Sequence, residues 1–437
     1  MTNCKHQKAL FQPVKSHKIV MDFEGGCVTS DAGALLLRKA DQAINLTQRV
    51  AEVIPDSRRS KSIQHSTRDM IRQRVFGICL GYEDLNDHQT LRHDLAHQTA
   101  ADKTTPLASP PTLCRFEQGF TKEQAFKINE ILVDIFIESH DFQPEMIILD
   151  FDATDDPIHG HQEKRFFHGY YDCYCYMPLY VFAGNHLLCA LLRPSNIDAA
   201  KKSGAILKWL VSKLRSAWPE VQIIFRGDSG FCRRRILHWC DTHDVGFIVG
   251  LARNSRLLRA SEDLRAQAEA EYTESQCKAR LFGEFLYAAG TWKYLRQVIV
   301  KAEHGSKGAN PRFVVTNLPG DPQFLYESMY CARGDMENRI KEKQLDLFAD
   351  RTSCSRFWPN QFRLLQSCLA YVIIDTIRRL GLTGTELSNA QCGTIRLKLL
   401  KIGAIIRRNT RRIYFHLSSY YPWQDLFLQT AQRLDTS

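Results

Sequence analysis

The chain has 437 residues, 44% of them apolar and 10% aromatic, which is enough to build a core and fill roughly three domains of ordinary size. That composition excludes a disordered tail. With 58 Lys and Arg against 48 Asp and Glu the net charge is +10, a mild excess that suits a polyanionic partner without proving one.

In chain order, the first residues carry basic side chains but no continuous apolar core, so no export signal is expected. KIVMDFEGG then reads as a short strand with a Gly25-Gly26 turn, and Thr29-Ser30-Asp31 can cap a helix through ALLLRKADQ. STRDMIRQRVFGICLGYEDL has helical spacing with Arg68, Arg72 and Arg74 interleaved, which predicts a helix with a basic outer face. The Ala-, Thr- and Pro-rich stretch AHQTAADKTTPLASPPT is the boundary loop.

From Met146 the pattern changes to strands. MIILDFDAT is an apolar run ending in carboxylates, YCYMPLYVFAG and HLLCALLRP follow around Gly184-Asn185, and KKSGAILKWLVSKLRSAW is helical. VQIIFRGDSG is a further strand, RRRILHWCDTHD a helix and VGFIVGLA a strand. Pattern alone supports an α/β fold with a mixed sheet, and the order of three strands, helix, strand, helix, strand is that of an RNase H-like core. Cys173 and Cys175 with His168 form the tightest thiol group; two buried strand cysteines are the reading preferred to zinc, and the 14 scattered cysteines read as reduced cytosolic thiols.

Residues 254 to 322 interrupt this order with an acidic helical piece and two strand candidates, TWKYLRQVIVKAE and RFVVTNL, so a β-containing insertion is expected there. A long helix, FLYESMYCARGDMENRIKEKQLDL, and a buried one, NQFRLLQSCLAYVIIDTIRRL, come next. The longest apolar stretch, Leu364 to Ile374, contains Gln366 and Ser367 and is too short to span a membrane.

Three carboxylates stand out. Asp152 ends its strand with Asp150 on the same face; Asp155 and Asp156, before Pro157, read as turn residues, and His159 as a residue that holds a turn. Asp228 ends another strand between Gly227 and Gly230, where backbone room favours a bound group. In the long helix Tyr330, Arg333 and Glu337 share one stripe, although Glu337 can equally pair with Lys341 at i+4. Oxygen donors from two strands and a helix suit Mg²⁺ or Mn²⁺ and phosphodiester chemistry, and Arg333 suits a phosphate clamp.

At this point the residues carry a resemblance. DFEGGCVTSDAGALLLRKAD, GYEDLNDHQTLRHD, SPPTLCRFE, LDFDATDDPIHG, FRGDSGF, RFVVTNL, the helix Tyr330-x-x-Arg333-x-x-x-Glu337 and FWPNQFRLLQSCLAY resemble DDE group-one transposases, and more narrowly the insertion-sequence family called thirteen-eighty. The resemblance runs from about residue 20 to the C-terminus. It implies an RNase H-like mixed-sheet catalytic core with a β-rich insertion and an N-terminal, mostly helical domain. It also implies Mg²⁺ (two ions, with Mn²⁺ as a substitute), double-stranded DNA as partner (terminal inverted repeats and target), a homodimer in the synaptic complex, and a bacterial, nucleoid-associated cytoplasmic setting. Carried over, Asp152, Asp228 and Glu337 are the catalytic and metal-binding triad, with Thr154, Tyr330, Arg333 and Lys341 in support. Related transposases have a Lys seven residues after the Glu; here that place is Gln344, beside Lys343. An aromatic in the insertion, Trp292, reads as a buried strand residue in preference to a base-stacking one.

The organisation expected is therefore a helical DNA-end-binding domain at 1–125, with base contacts from the helices around Arg68, Arg72 and Arg74, the first part of the core at 126–253, the insertion at 254–322, core helices carrying the Glu at 323–385, and a basic DNA-contacting segment at 386–437. From Leu387 onward eight Lys or Arg face two acids, and Arg396, Lys398, Lys401, Arg407, Arg408, Arg411 and Arg412 are read as a phosphate-tracking surface. The alternatives are an RNase H-like nuclease or resolvase without strand transfer, or an inactive DNA-binding relic.

Overall fold

The structure, a computed structural model, describes residues 8–56, 58–59, 61 and 63–435. Two units partition the chain: Met1–Gly119 with Asp346–Phe348 and Leu369–Ser437, and Phe120–Leu345 with Ala349–Cys368.

The first unit begins with an antiparallel hairpin, β1 (Ala9–Val14) and β2 (His17–Met21), followed by β3 (Val28–Thr29). Helices Ala34–Ile44, Leu46–Val53 and Thr67–Cys79 come next. Ser66 opens the third of these with a reciprocal capping box to Asp69. Of the three arginines expected on its outer face, Arg68 is half-buried and Arg72 and Arg74 are each 2% exposed. Arg72 pairs with Asp41 at 3.0 Å and with Asp102; Arg74 pairs with Glu117 at 2.9 Å and reaches His88 at 3.1 Å. The expectation of base contacts from Arg72 and Arg74 is thus corrected. Their partners lie far off in sequence, where a helical pattern cannot reveal them, and a buried charge persists only when so paired.

In the second unit alternation dictates which side chains meet. β4 (Met146–Ala153) sends Ile147, Leu149 and Phe151 into the large core and leaves Ile148, Asp150 and Asp152 on the opposite face. A small sheet follows, built from β5 (Asp156–Pro157), β6 (Phe166–His168) and β7 (Cys173–Tyr176), so Asp156 belongs to a strand and not to the expected turn. β8 (Leu179–Ala183) returns antiparallel to β4, and β9 (His186–Leu191) pairs antiparallel with β8 at the sheet edge. β10 (Gln222–Gly227) and β11 (Gly246–Leu251) add in parallel on the other side.

The insertion supplies β12 (Ala279–Tyr287), β13 (Arg296–Gly305), β14 (Gly308–Ala309) and β15 (Arg312–Thr316). These strands continue the same mixed sheet, whose order is β12-β13-β15-β11-β10-β4-β8-β9 with β14 beside β13. Helices Lys122–Glu138, Ser203–Ala217 and Arg234–Thr242 bury Phe136, Leu210 and Leu237 against one face. Leu325 and Tyr326, from the helix that leads to Glu337, cover Ile224, Ile248 and Val314 on the other. The fold is α/β with a large mixed sheet, as expected.

Later in the first unit β16 (Ala404–Arg408) and β17 (Ile413–Leu417) form an antiparallel pair joined to β3, and the helix Gln424–Arg433 follows. No helix among the described residues is long and apolar enough to cross a membrane. The described cysteines are all free thiols.

The buried pairing makes a prediction. Arg72→Met strands Asp41, whose side chain is 1% exposed, and should lower the unfolding free energy by about 3–5 kcal/mol in urea titration. An unchanged midpoint accompanied by weaker DNA binding would return this arginine to a DNA-contacting role.

Candidate active site

On β4, β10 and β11 the even-numbered residues share the face covered by the Glu-bearing helix: Asp150 and Asp152, Ile224 and Arg226, Ile248 and Gly250. β4 and β10 are parallel neighbours with Gly227 opposite Phe151. Asp228, one residue on, therefore leaves its strand beside Asp152. Its carboxylate accepts the Gly230 amide at 2.8 Å and caps the short 3₁₀ turn Ser229–Phe231, which fixes its direction.

The other side of the site comes from a helix that changes pitch along its length. A wide π turn, Leu325–Tyr330, runs into a 3₁₀ turn, Cys331–Arg333, and then into the α-helix Gly334–Leu347. A 3₁₀ turn eclipses residues three apart, so Tyr330 and Arg333 fall on one line, and one α turn later Glu337 joins them. Arg333 stands between the acids: its Nη1 is 3.6 Å from Asp152 and its Nη2 pairs with Glu337. Glu337 thus turns back toward the sheet and not outward to Lys341, which is exposed.

Burial pushes the Asp152 carboxyl up to about 7; Arg333 opposes that rise, while the negative charges of Asp228 and Glu337 add to it. Its side chain is 15% exposed against 41% for Glu337. Among the described residues no three His, Cys, Asp or Glu side chains are gathered closely enough to hold a metal ion, which covers the acids around Arg333 and the Cys173, Cys175 and His168 group alike. The carboxylate oxygens of Asp152, Asp228 and Glu337 are donors of the type Mg²⁺ takes, and a nearby cation would offset the negative charges that add to the rise at Asp152.

A family model described as "Transposase DDE domain group 1" matches residues 11–437. The chain belongs to the DDE group 1 transposases. Among solved structures the transposase is similar to the piggyBac transposase in a cryo-EM synaptic complex with hairpin DNA, at 10% identity and a TM-score of 0.42, with 85% of this chain and 79% of that chain covered. No curated protein matches it.

Other residues singled out in the sequence take varied places in the transposase. Thr154 directs its hydroxyl to Asp155 at 3.5 Å and its amide to the Pro178 carbonyl, so it shapes the loop after Asp152. Gln344, in the position of the family's lysine, donates to the Asp155 carbonyl at 3.1 Å and holds that same loop. Lys343 is buried with its ammonium 3.6 Å from the centre of the Tyr180 ring, on the strand beside Asp152. Trp292 is not the buried strand residue expected: it lies half-buried in the connection between β12 and β13, edge-on to Tyr287 and 5.6 Å from the Arg296 guanidinium.

In the first unit Arg407, Arg408, Arg411 and Arg412 are exposed on the β16–β17 hairpin, whose tip Asn409 braces through the amides of Arg411 and Arg412. The basic run does not act as one surface. Arg396 donates to the carbonyl of Cys79 at 2.8 Å, and Lys401 pairs with Asp31 at 2.8 Å. Both serve the packing of that unit, which corrects their reading as phosphate contacts.

Two site residues escaped the sequence reading. Arg226 is 6% exposed, forks onto both oxygens of Asp150 and reaches the Met329 carbonyl just before Tyr330. Asp150 is thereby engaged, which removes it as a rival to Asp152; period two would have placed Arg226 on the face of Asp228, but not opposite Asp150. Gly250 is the second. A Cβ there would lie 2.6 Å from the Tyr330 hydroxyl and 2.8 Å from the Ser229 amide nitrogen.

Gly250→Ala should therefore displace Tyr330 and the Asp228 turn and destabilise the protein by about 1–3 kcal/mol. Tyr330→Phe in the same chain should restore part of the lost melting temperature. A Gly250→Ala protein as stable as the parent would show that the strand and helix do not meet this closely.

Proposed function

We propose that the transposase binds the terminal inverted repeats of an insertion sequence and catalyses Mg²⁺-dependent DNA cleavage and strand transfer. The observation that carries this reading is the arrangement of Asp152, Asp228 and Glu337 around Arg333, drawn from two strand ends and one helix. The finer assignment to the thirteen-eighty family rests on the strings shared with it.

Asp152, Asp228 and Glu337 would hold two Mg²⁺ ions, or Mn²⁺ in their place, which when bound activate a water or 3′-hydroxyl and stabilise the leaving oxygen. The chain's own groups do the positioning. Arg333, once its guanidinium exchanges carboxylate for phosphate, grips two oxygens of the scissile group in a planar fork. Tyr330 sets the line on which Arg333 projects, and Gln344 with Thr154 fixes the loop beside Asp152. Lys341, exposed one turn beyond Glu337, adds positive charge for the flanking backbone. Synapsis of two element ends calls for two copies of the chain, so a homodimer on DNA is part of the proposal.

Asp228→Asn should abolish cleavage of DNA carrying the element's ends while leaving its affinity nearly unchanged, because one charged oxygen ligand is lost and no phosphate contact is. Cleavage and joining are read together on labelled duplexes with Mg²⁺. Full activity of this variant defeats the assignment, and cutting by the parent without joining marks a nuclease or resolvase instead.

Replacing Arg407, Arg408, Arg411 and Arg412 by Gln should weaken binding to end and random DNA alike and flatten the dependence of affinity on salt, since fewer counterions are released. A salt series on both DNAs decides this. An unchanged slope with lost preference for the ends would assign base readout, not phosphate tracking, to the hairpin.

A further inference from the structure

Beside Asp228 the sheet and helix leave an open cleft of about 500 Å³, within the roughly 300–1,000 Å³ of ligand-binding pockets. Asp228 and Ser229 form one end, Gly250 the floor, Arg253 and Arg312 the walls, and Tyr330 the boundary toward Arg333. The absence of a side chain at Gly250 keeps this floor open as well as admitting Tyr330.

Several arginines of this unit are neutralised by acids: Arg226 by Asp150, Arg233 by Asp198, Arg280 by Glu303 and Glu327, and Arg296 by Asp241. Among the described residues the side chains of Arg253 and Arg312 have no ion-pair or hydrogen-bond partner, and both residues are exposed. Two uncompensated guanidinium groups facing one cleft raise the local potential for an anion. Asp228 at the end of the cleft excludes a free anion from that end, so an anionic ligand must lie with its charge near the arginines and an uncharged part toward the acid. A DNA strand satisfies this, with alternating phosphate and sugar, while a compact free phosphate has no such second part.

We propose that this cleft seats the nucleotide next to the scissile phosphate, with Arg253 and Arg312 gripping its phosphate and Tyr330 bounding its sugar. This rests on the reading of Asp152, Asp228 and Glu337 as the cleavage centre. It adds the direction in which the strand leaves that centre, along the ends of β11 and β15 and over the insertion.

The test combines two changes at one contact. The full-length protein, as parent, Arg253→Gln, Arg312→Gln and the double variant, is given a duplex carrying one terminal repeat of its own element. A second duplex has a neutral methylphosphonate in place of the phosphate next to the cleavage position. Each single variant should lose on the order of tenfold in binding, as expected for a charge-assisted hydrogen bond, and reduce the salt slope by about one. On the methylphosphonate duplex the variants and the parent should bind alike, because both changes remove the same interaction. Losses that multiply instead, or variants indistinguishable from the parent on the normal duplex, overturn the proposal. Melting temperatures equal to the parent's show that the variants are folded, and Arg312→Lys should recover part of the affinity. If the parent binds this way but does not cut with Mg²⁺ or Mn²⁺, the reading of the three carboxylates fails, and what stands is the phosphate contact of Arg253 and Arg312 without its place beside a cleavage centre.

Discussion

The buried fork between Arg226 and Asp150 ties three elements together. It joins neighbouring strands β10 and β4 and, through the Met329 carbonyl, the helix that presents Tyr330, Arg333 and Glu337. A guanidinium 6% exposed is costly to bury unless each side finds an acceptor, so the carboxylate and the carbonyl specify where the helix must lie on the sheet. Asp152 and Asp228, the acids proposed to act on substrate, follow directly from this contact in their spacing. Asp152 is two residues beyond Asp150, and Asp228 two beyond Arg226, on the same face.

Arg333 repeats the theme one layer out, with a different outcome. It spans Asp152 and Glu337 where exposure is greater, and a guanidinium held by two carboxylates in partly solvated surroundings can exchange them for another anion. The inner arginine is structural and the outer one exchangeable. Burial, more than residue type, separates the two roles.

What the sequence discloses follows from how far apart the interacting residues lie. Strands β4 and β10 were legible because an apolar run ending in an acid is a local signal, and the Tyr330, Arg333 and Glu337 stripe because a helix brings residues three and four apart together. Arg72 and Arg74 misled because their compensating acids, Asp41 and Glu117, are 31 and 43 residues away. Gly250 and Arg226 are defined by what packs against them from another element. The insertion was recognisable as β-rich, but its continuation of the main sheet depends on the pairing of β15 with β11, which no local pattern encodes.

The π turn at Leu325–Tyr330 sets a limit of a different kind. Such a turn holds one residue more than the α turn it replaces, and its hydrogen bonds close at i+5 instead of i+4. Deleting a single residue there could let the backbone relax into an ordinary helix, yet the segment ahead of it would rotate by a full residue step relative to Glu337. Leu325 and Tyr326 would then leave the sheet they cover while Arg333 kept its place. In genetic terms the segment tolerates substitution far better than a change of length, although it is the least regular part of the helix.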